Sequence, residues 1–74
     1  MDPLGAERLW RARKTHTWID AQLRATDESG AYELRFFYDG DLVFRRFWAS
    51  RDAAVAFASE QLRELQRAGW NTHW

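Results

Sequence analysis

From Thr15 to Thr26 the chain alternates. Ile19, Ala21, Leu23 and Ala25 fall on one side, and His16, Trp18, Asp20, Gln22 and Arg24 on the other. A period of two marks a strand with one face buried. Asp27-Glu28-Ser29-Gly30 reads as a turn. Alternation resumes from Ala31 to Phe37, with Tyr32, Leu34 and Phe36 opposite Glu33, Arg35 and Phe37. Asp39-Gly40 is a hairpin signal, and Asp41 to Ala49 makes a third strand.

The length of the hairpin loop decides which side chains share a face, because a slip of one residue exchanges the two faces. A two-residue loop at Asp39-Gly40 sets Leu34 opposite Arg45 and drives that arginine into the apolar face. A three-residue loop from Tyr38 to Gly40 pairs Phe36 with Leu42, Leu34 with Phe44 and Glu33 with Arg45. Burying a charge costs more than straining a turn, so the three-residue loop is expected. The core face is then Tyr32, Leu34, Phe36, Leu42, Phe44 and Trp48, with Arg46 near one end.

After the third strand the period changes to that of a helix. Ala54, Val55, Ala58, Leu62 and Leu65 form one stripe between Arg51 and Ala68, with Phe57 at its edge. Ser50 stands at the N-cap, and Asp52 lies in the positively polarised first turn. Gly69 stands where a left-handed C-terminal cap belongs, and Trp70 follows as the apolar contact of that cap. At the other end, Asp2-Pro3 resembles a helix start, and Leu4, Leu9 and Trp10 with Ala6 and Ala12 suit a short one-sided helix or a basic arm.

These elements predict an α+β fold: a three-stranded antiparallel sheet packed on one C-terminal helix, with an optional short N-terminal helix. Residues 1–14 are the N-terminal arm or helix, 15–70 the single βββα domain, and 71–74 a tail. The small Ala54 and Ala58 let the helix approach the sheet, and the sheet's second face is left for solvent or a partner.

Composition narrows the possibilities. Seventy-four residues make one small domain, whose core supplies only ~3–5 kcal/mol without help. With no cysteine, disulfides, zinc-thiolate clusters and thiol nucleophiles are all excluded. No apolar run approaches the ~20 residues of a bilayer span, and no stretch reads as a signal peptide, so a cytoplasmic location is expected. Of the 11 basic residues only Lys14 is a lysine, and 11 acidic residues balance them. That zero net charge argues against the broad positive field that drives non-specific nucleic-acid binding. A GC-rich genome, bacterial or phage, is the expected source of the arginine bias; the alternative is that arginine suits flat, stacked and bidentate contacts better than lysine.

Catalytic chemistry is not expected. A site needs a nucleophile with a base, a metal cage, or two carboxylates in different environments. His16 and His73 are the only histidines, and nothing in their spacing joins them to a carboxylate as metal ligands. Ser29, Ser50 and Ser59 have turn, cap and helix-surface roles. The four glycines are isolated, so no phosphate-cradling loop exists. No catalytic, cofactor-binding or metal-binding residue is assigned, and no small-molecule substrate or membrane is inferred.

One surface exceeds what a small fold requires. Trp18, Phe37, Val43 and Phe47 share the second sheet face with His16, Arg24, Arg35 and Arg45. The mildest account is that the N-terminal segment folds over this face with Leu9 and Trp10. The expected function is a small non-enzymatic protein-interaction or regulatory domain. It associates with a protein partner, or with itself as a homodimer, through the sheet face or the N-terminal arm. The expected interaction residues are Trp10, Trp18, Arg24, Arg35, Phe37, Arg45 and Phe47. The alternative is a nucleic-acid-binding module using the same face and arm.

The predicted order of helix, three strands and helix resembles the double-stranded-RNA-binding domain, and Ser50-Arg51-Asp52-Ala53-Ala54 with Ala58 is similar to the opening of that family's last helix. That family presents lysines there, where this chain has Arg51 beside Asp52, and no functional residue is carried over. The sheet with one helix is also similar, in topology alone, to the DNA-binding arm of phage-type integrases.

Overall fold

The computed structural model describes residues 6–26 and 30–72. The chain runs through β1 (Glu7–Lys14), β2 (Thr17–Ala25), β3 (Tyr32–Tyr38), β4 (Asp41–Trp48), α1 (Arg51–Arg67) and the two-residue β5 (Asn71–Thr72). The strands form one antiparallel sheet in the order β4-β3-β2-β1-β5. The α+β class and the single helix agree with the periodicity, but the sheet has four full strands and a short fifth rather than three. No helix among the described residues is long and apolar enough to cross a membrane.

The main correction is β1. Residues 7–14 are a strand, not a helix or a loose arm, and the expected tail pairs with it, Ala12 facing Thr72 and Arg13 facing Asn71. Without an N-terminal helix among the described residues, the topological resemblance to the double-stranded-RNA-binding domain does not hold; residues 1–5 lie outside the described ones. The cause of the misreading is a register shift between Arg8 and Trp10. A bulge lets two successive side chains oppose one partner residue. Leu9 and Trp10 therefore both pack toward the core and imitate helical spacing.

β1 also holds the helix at three points along its length. Glu7 receives two hydrogen bonds from Arg51 Nη2 at the helix start, at 2.9 and 2.8 Å. The Trp10 indole N–H donates to the Ala58 carbonyl at mid-helix, at 2.9 Å. Lys14 Nζ donates to the Ala68 carbonyl at the C-terminus, at 2.8 Å, where the helix dipole favours a cation. The pairing with Glu7 raises the Arg51 guanidinium above its ordinary value.

The core lies between sheet and helix. Leu23 and Leu34 meet Ala54 and Ala58, and Trp10, Ala12 and Ala21 form an adjoining cluster edged by Leu62, Leu65 and Trp70. The alanines keep the helix axis close to the sheet. Phe57 fills the gap that remains, its ring 6.2 Å from Phe36, 5.6 Å from Phe44 and 5.1 Å from Trp48. Aromatic pairs at these separations add to their area burial.

The β3–β4 hairpin solves its register differently from the expectation. The turn has two residues, Asp39 (φ 49°) and Gly40 (φ 89°), both left-handed, the conformation of the commonest tight hairpin turn. By itself this turn would bring Arg45 to the core. A bulge follows, with Phe37 opposite Leu42 but Phe36 opposite Phe44. The extra residue restores the face assignment beyond it while shifting every later pair by two positions from the expectation. Leu34 now faces Arg46, and Glu33 faces Phe47. Leu42 leaves the core face and is 49% exposed.

Both helix caps form as read. Ser50 Oγ accepts from the Ala53 N–H at 3.1 Å. Trp70 N–H donates to Leu65 and Gly69 N–H to Gln66, the paired bonds of a Schellman ending. Gly69 has φ 99°, which disfavours any side chain there.

Candidate functional site

Among the described residues, none forms a second layer on the face of the sheet turned away from α1. Pairing shows which side chains occupy it, because residues directly opposite share a face. On β1 these are Arg8, Arg11 and Arg13, opposite Gln22, Asp20 and Trp18 of β2. Arg24 of β2 faces Glu33 of β3, Arg35 faces Arg45 of β4, Phe37 lies beside Asp20, and Phe47 lies beside Glu33.

Six arginines thus stand with two carboxylates on one face, an excess of four positive charges among its described residues. The other residues of this neutral chain carry the compensating acid. The positive field that composition argues against is present, confined to one side.

The two carboxylates are the most enclosed groups there, Asp20 at 3% and Glu33 at 2% exposure. A buried carboxylate persists only when it is paired and hydrogen-bonded. Asp20 is held in bidentate fashion by Arg11, Nε to Oδ1 at 2.6 Å and Nη2 to Oδ2 at 3.0 Å, with Arg8 at 3.8 Å. The hydrogen bond to Asp20 raises the Arg11 guanidinium above its ordinary value. Glu33 gathers three arginines: Arg24 Nε at 2.6 Å, Arg45 Nε at 3.2 Å and Arg35 Nε at 3.9 Å. Each cluster keeps a net positive charge.

Above the carboxylates the guanidiniums lie over aromatic rings. Arg11 sits 4.2 Å from the centre of Trp18, Arg35 5.3 Å from Phe37, and Arg45 5.4 Å from Phe47. Arginine suits such contacts because its planar cation is weakly hydrated. Trp18 and Phe37 are half-buried, whereas Phe47 is 53% exposed.

Of the seven expected interaction residues, Trp18, Arg24, Arg35, Phe37, Arg45 and Phe47 come together on this face. Trp10 does not. It is buried at 3% on the opposite side, its indole N–H bonded to α1. Nor does residue 7–14 chain cover the face, since it is part of the sheet. His16 is exposed in the β1–β2 turn, and His73 lies outside the described residues. Among the described residues no group of three His, Asp or Glu side chains is placed to hold a metal ion.

Sequence reasoning missed Arg8, Arg11 and Arg13, and it missed the burial of Asp20 and Glu33. The signal for the first was the alternation Trp10-Arg11-Ala12-Arg13, hidden by the bulge before it. The signal for the second was an acid on a polar face directly across from an arginine on the next strand. The chain was compared with family models, curated proteins and solved structures, and it matches none of them.

Proposed function

We propose that this chain is a non-enzymatic binding module whose outer sheet face takes an extended polyanionic partner. The observation that carries this reading is the excess of four positive charges on one face of a neutral chain. Internal pairing uses one charge at Asp20 and one at Glu33 and leaves the rest for a partner. The geometry suits contact with a row of anions, because guanidiniums lie on all four full strands. Four strands about 4.8 Å apart present cations over roughly 14 Å.

Calorimetric titration with inorganic polyphosphate tests the reading. Affinity should fall steeply and linearly on a logarithmic scale as salt rises, because condensed counterions are released on binding. The double variant Arg8→Gln/Arg13→Gln, at two exposed positions of β1 whose loss leaves Asp20 held by Arg11 and Glu33 by its three arginines, should bind about tenfold more weakly with its melt preserved. Undetectable binding at about 50 mM salt, where electrostatic affinity is strongest, removes the proposal.

A second reading, a homodimer, has its own observation. Leu42, Val43 and Phe47 are exposed on β4, an edge strand whose outer backbone groups face no other strand among the described residues. Against it stand the bulge and the adjacent Arg45 and Arg46, devices that blunt an edge. Light scattering over a hundredfold range of concentration separates the two: a constant monomer mass ends the dimer reading and leaves the polyanion reading intact.

A further inference from the structure

We infer that the polyanion is single-stranded nucleic acid, one base of which stacks on Phe47. This inference rests on the polyanion reading above and narrows it. Charge alone fits any polyanion. What distinguishes unpaired nucleic acid is an accessible aromatic ring set among cations, since every base has a π-face and every nucleotide a phosphate.

The three aromatics of the face differ in this respect. Trp18 is half-buried and roofed by Arg11 at 4.2 Å. Phe37 is half-buried on an inner strand, with Arg35 at 5.3 Å. Phe47 also has a guanidinium near its ring, Arg45 at 5.4 Å, but it lies on the edge strand, is 53% exposed, and stands directly opposite Glu33. The three guanidiniums of Arg24, Arg35 and Arg45 converge on that same Glu33. A base laid on Phe47 therefore has its phosphates beside the most cationic point of the face. In a duplex the base faces are stacked within the helix and out of reach of Phe47, and a broad sheet face meets phosphates only. An acidic peptide supplies a ring only at its aromatic residues, whereas a nucleic acid supplies one with every charge.

The test compares octamers of equal charge, oligodeoxythymidine, oligouridine and their abasic counterparts, with a blunt octamer duplex that carries twice the charge and is therefore compared per phosphate, all measured by fluorescence anisotropy at about 50 mM salt. Both base-bearing single strands should bind more tightly than the abasic ones, by roughly five- to a hundredfold. Phe47→Ala should erase most of that difference and leave abasic affinity unchanged. Arg8→Gln/Arg13→Gln, which leaves both buried carboxylates paired, should weaken all ligands alike. Equal affinity for base-bearing and abasic strands, or a duplex bound as tightly as a single strand, overturns the inference while the polyanion reading stands. No binding of any octamer or of polyphosphate overturns both. A melt of Phe47→Ala at the parent temperature shows that the variant is folded, as expected for an exposed edge residue.

Discussion

The two faces of this sheet are covered by opposite means. Toward α1, Leu23 and Leu34 bury apolar surface against Ala54 and Ala58, and the rings of Phe36, Phe44 and Phe57 stack above them. Away from α1, no layer among the described residues covers the sheet. The arginines take its place, their stems lying along the strands and their guanidiniums lying over aromatics and buried acids. The first face gains its free energy from dehydration. The second gains it from charge pairing, which is weaker per group and leaves cations unspent. A surface built in this way protects its strands and attracts anions with the same side chains.

The comparison can be broken first on the apolar side. Leu34 is fully buried at the centre of the core. Leu34→Ala should cost about 3–5 kcal/mol through lost transfer energy and the cavity left behind. A chain of this length has roughly 4–11 kcal/mol in total, so the variant should be barely folded at 25 °C by circular dichroism. A cooperative melt within a few degrees of the parent would show that the core lies elsewhere.

The next largest effect belongs to the charged side. Glu33→Gln leaves three guanidiniums without their counterion. Their side chains are 44%, 23% and 55% exposed, so water offsets much of the loss, and about 1–3 kcal/mol is expected. The sign of the salt effect is the sharper reading. Repulsion among the three arginines is screened at high ionic strength, so the deficit should shrink between 50 and 500 mM salt. Leu34→Ala should show no such recovery. An equal deficit for Glu33→Gln at both concentrations would mean that Glu33 acts as a hydrogen-bond acceptor and not as a charge.

The contrast between the faces also explains what could be read from the chain. Period-two alternation places Trp18, Phe37 and Phe47 on the open side, because alternation is a property of the strand itself. The helix and its caps were legible for the same reason: Ser50, Asp52 and Gly69 act within a few residues. What escaped is set by deviations from regular pairing. The bulge between Arg8 and Trp10 disguised β1 as a helix, and with it half of the arginine face. The two-residue turn moved Leu42 out of the core and the bulge after it set Arg46 opposite Leu34, a change of partner that leaves the rest of the hydrophobic pattern untouched. The burial of Asp20 and Glu33 was invisible because it depends on arginines from neighbouring strands.

The smallest effect on stability is the most discriminating. Arg45 and Arg46 are adjacent on β4 but serve opposite faces. Arg45 joins the Glu33 cluster, and Arg46 lies on the core side, its guanidinium 4.3 Å above the Trp48 ring. Methionine keeps most of each stem and removes the charge. Arg46→Met should cost about 0.5–1 kcal/mol for the lost cation–π contact and leave anion affinity nearly unchanged. Arg45→Met should cost less than about 0.5 kcal/mol, since Arg24 and Arg35 still pair Glu33. Its effect should appear in binding: weaker affinity for every single strand, and a logarithmic salt slope smaller by about one. Were Arg46→Met to lower that slope as much as Arg45→Met, the anion would be reading the charge of the whole edge, and the division of labour between the two faces would fail.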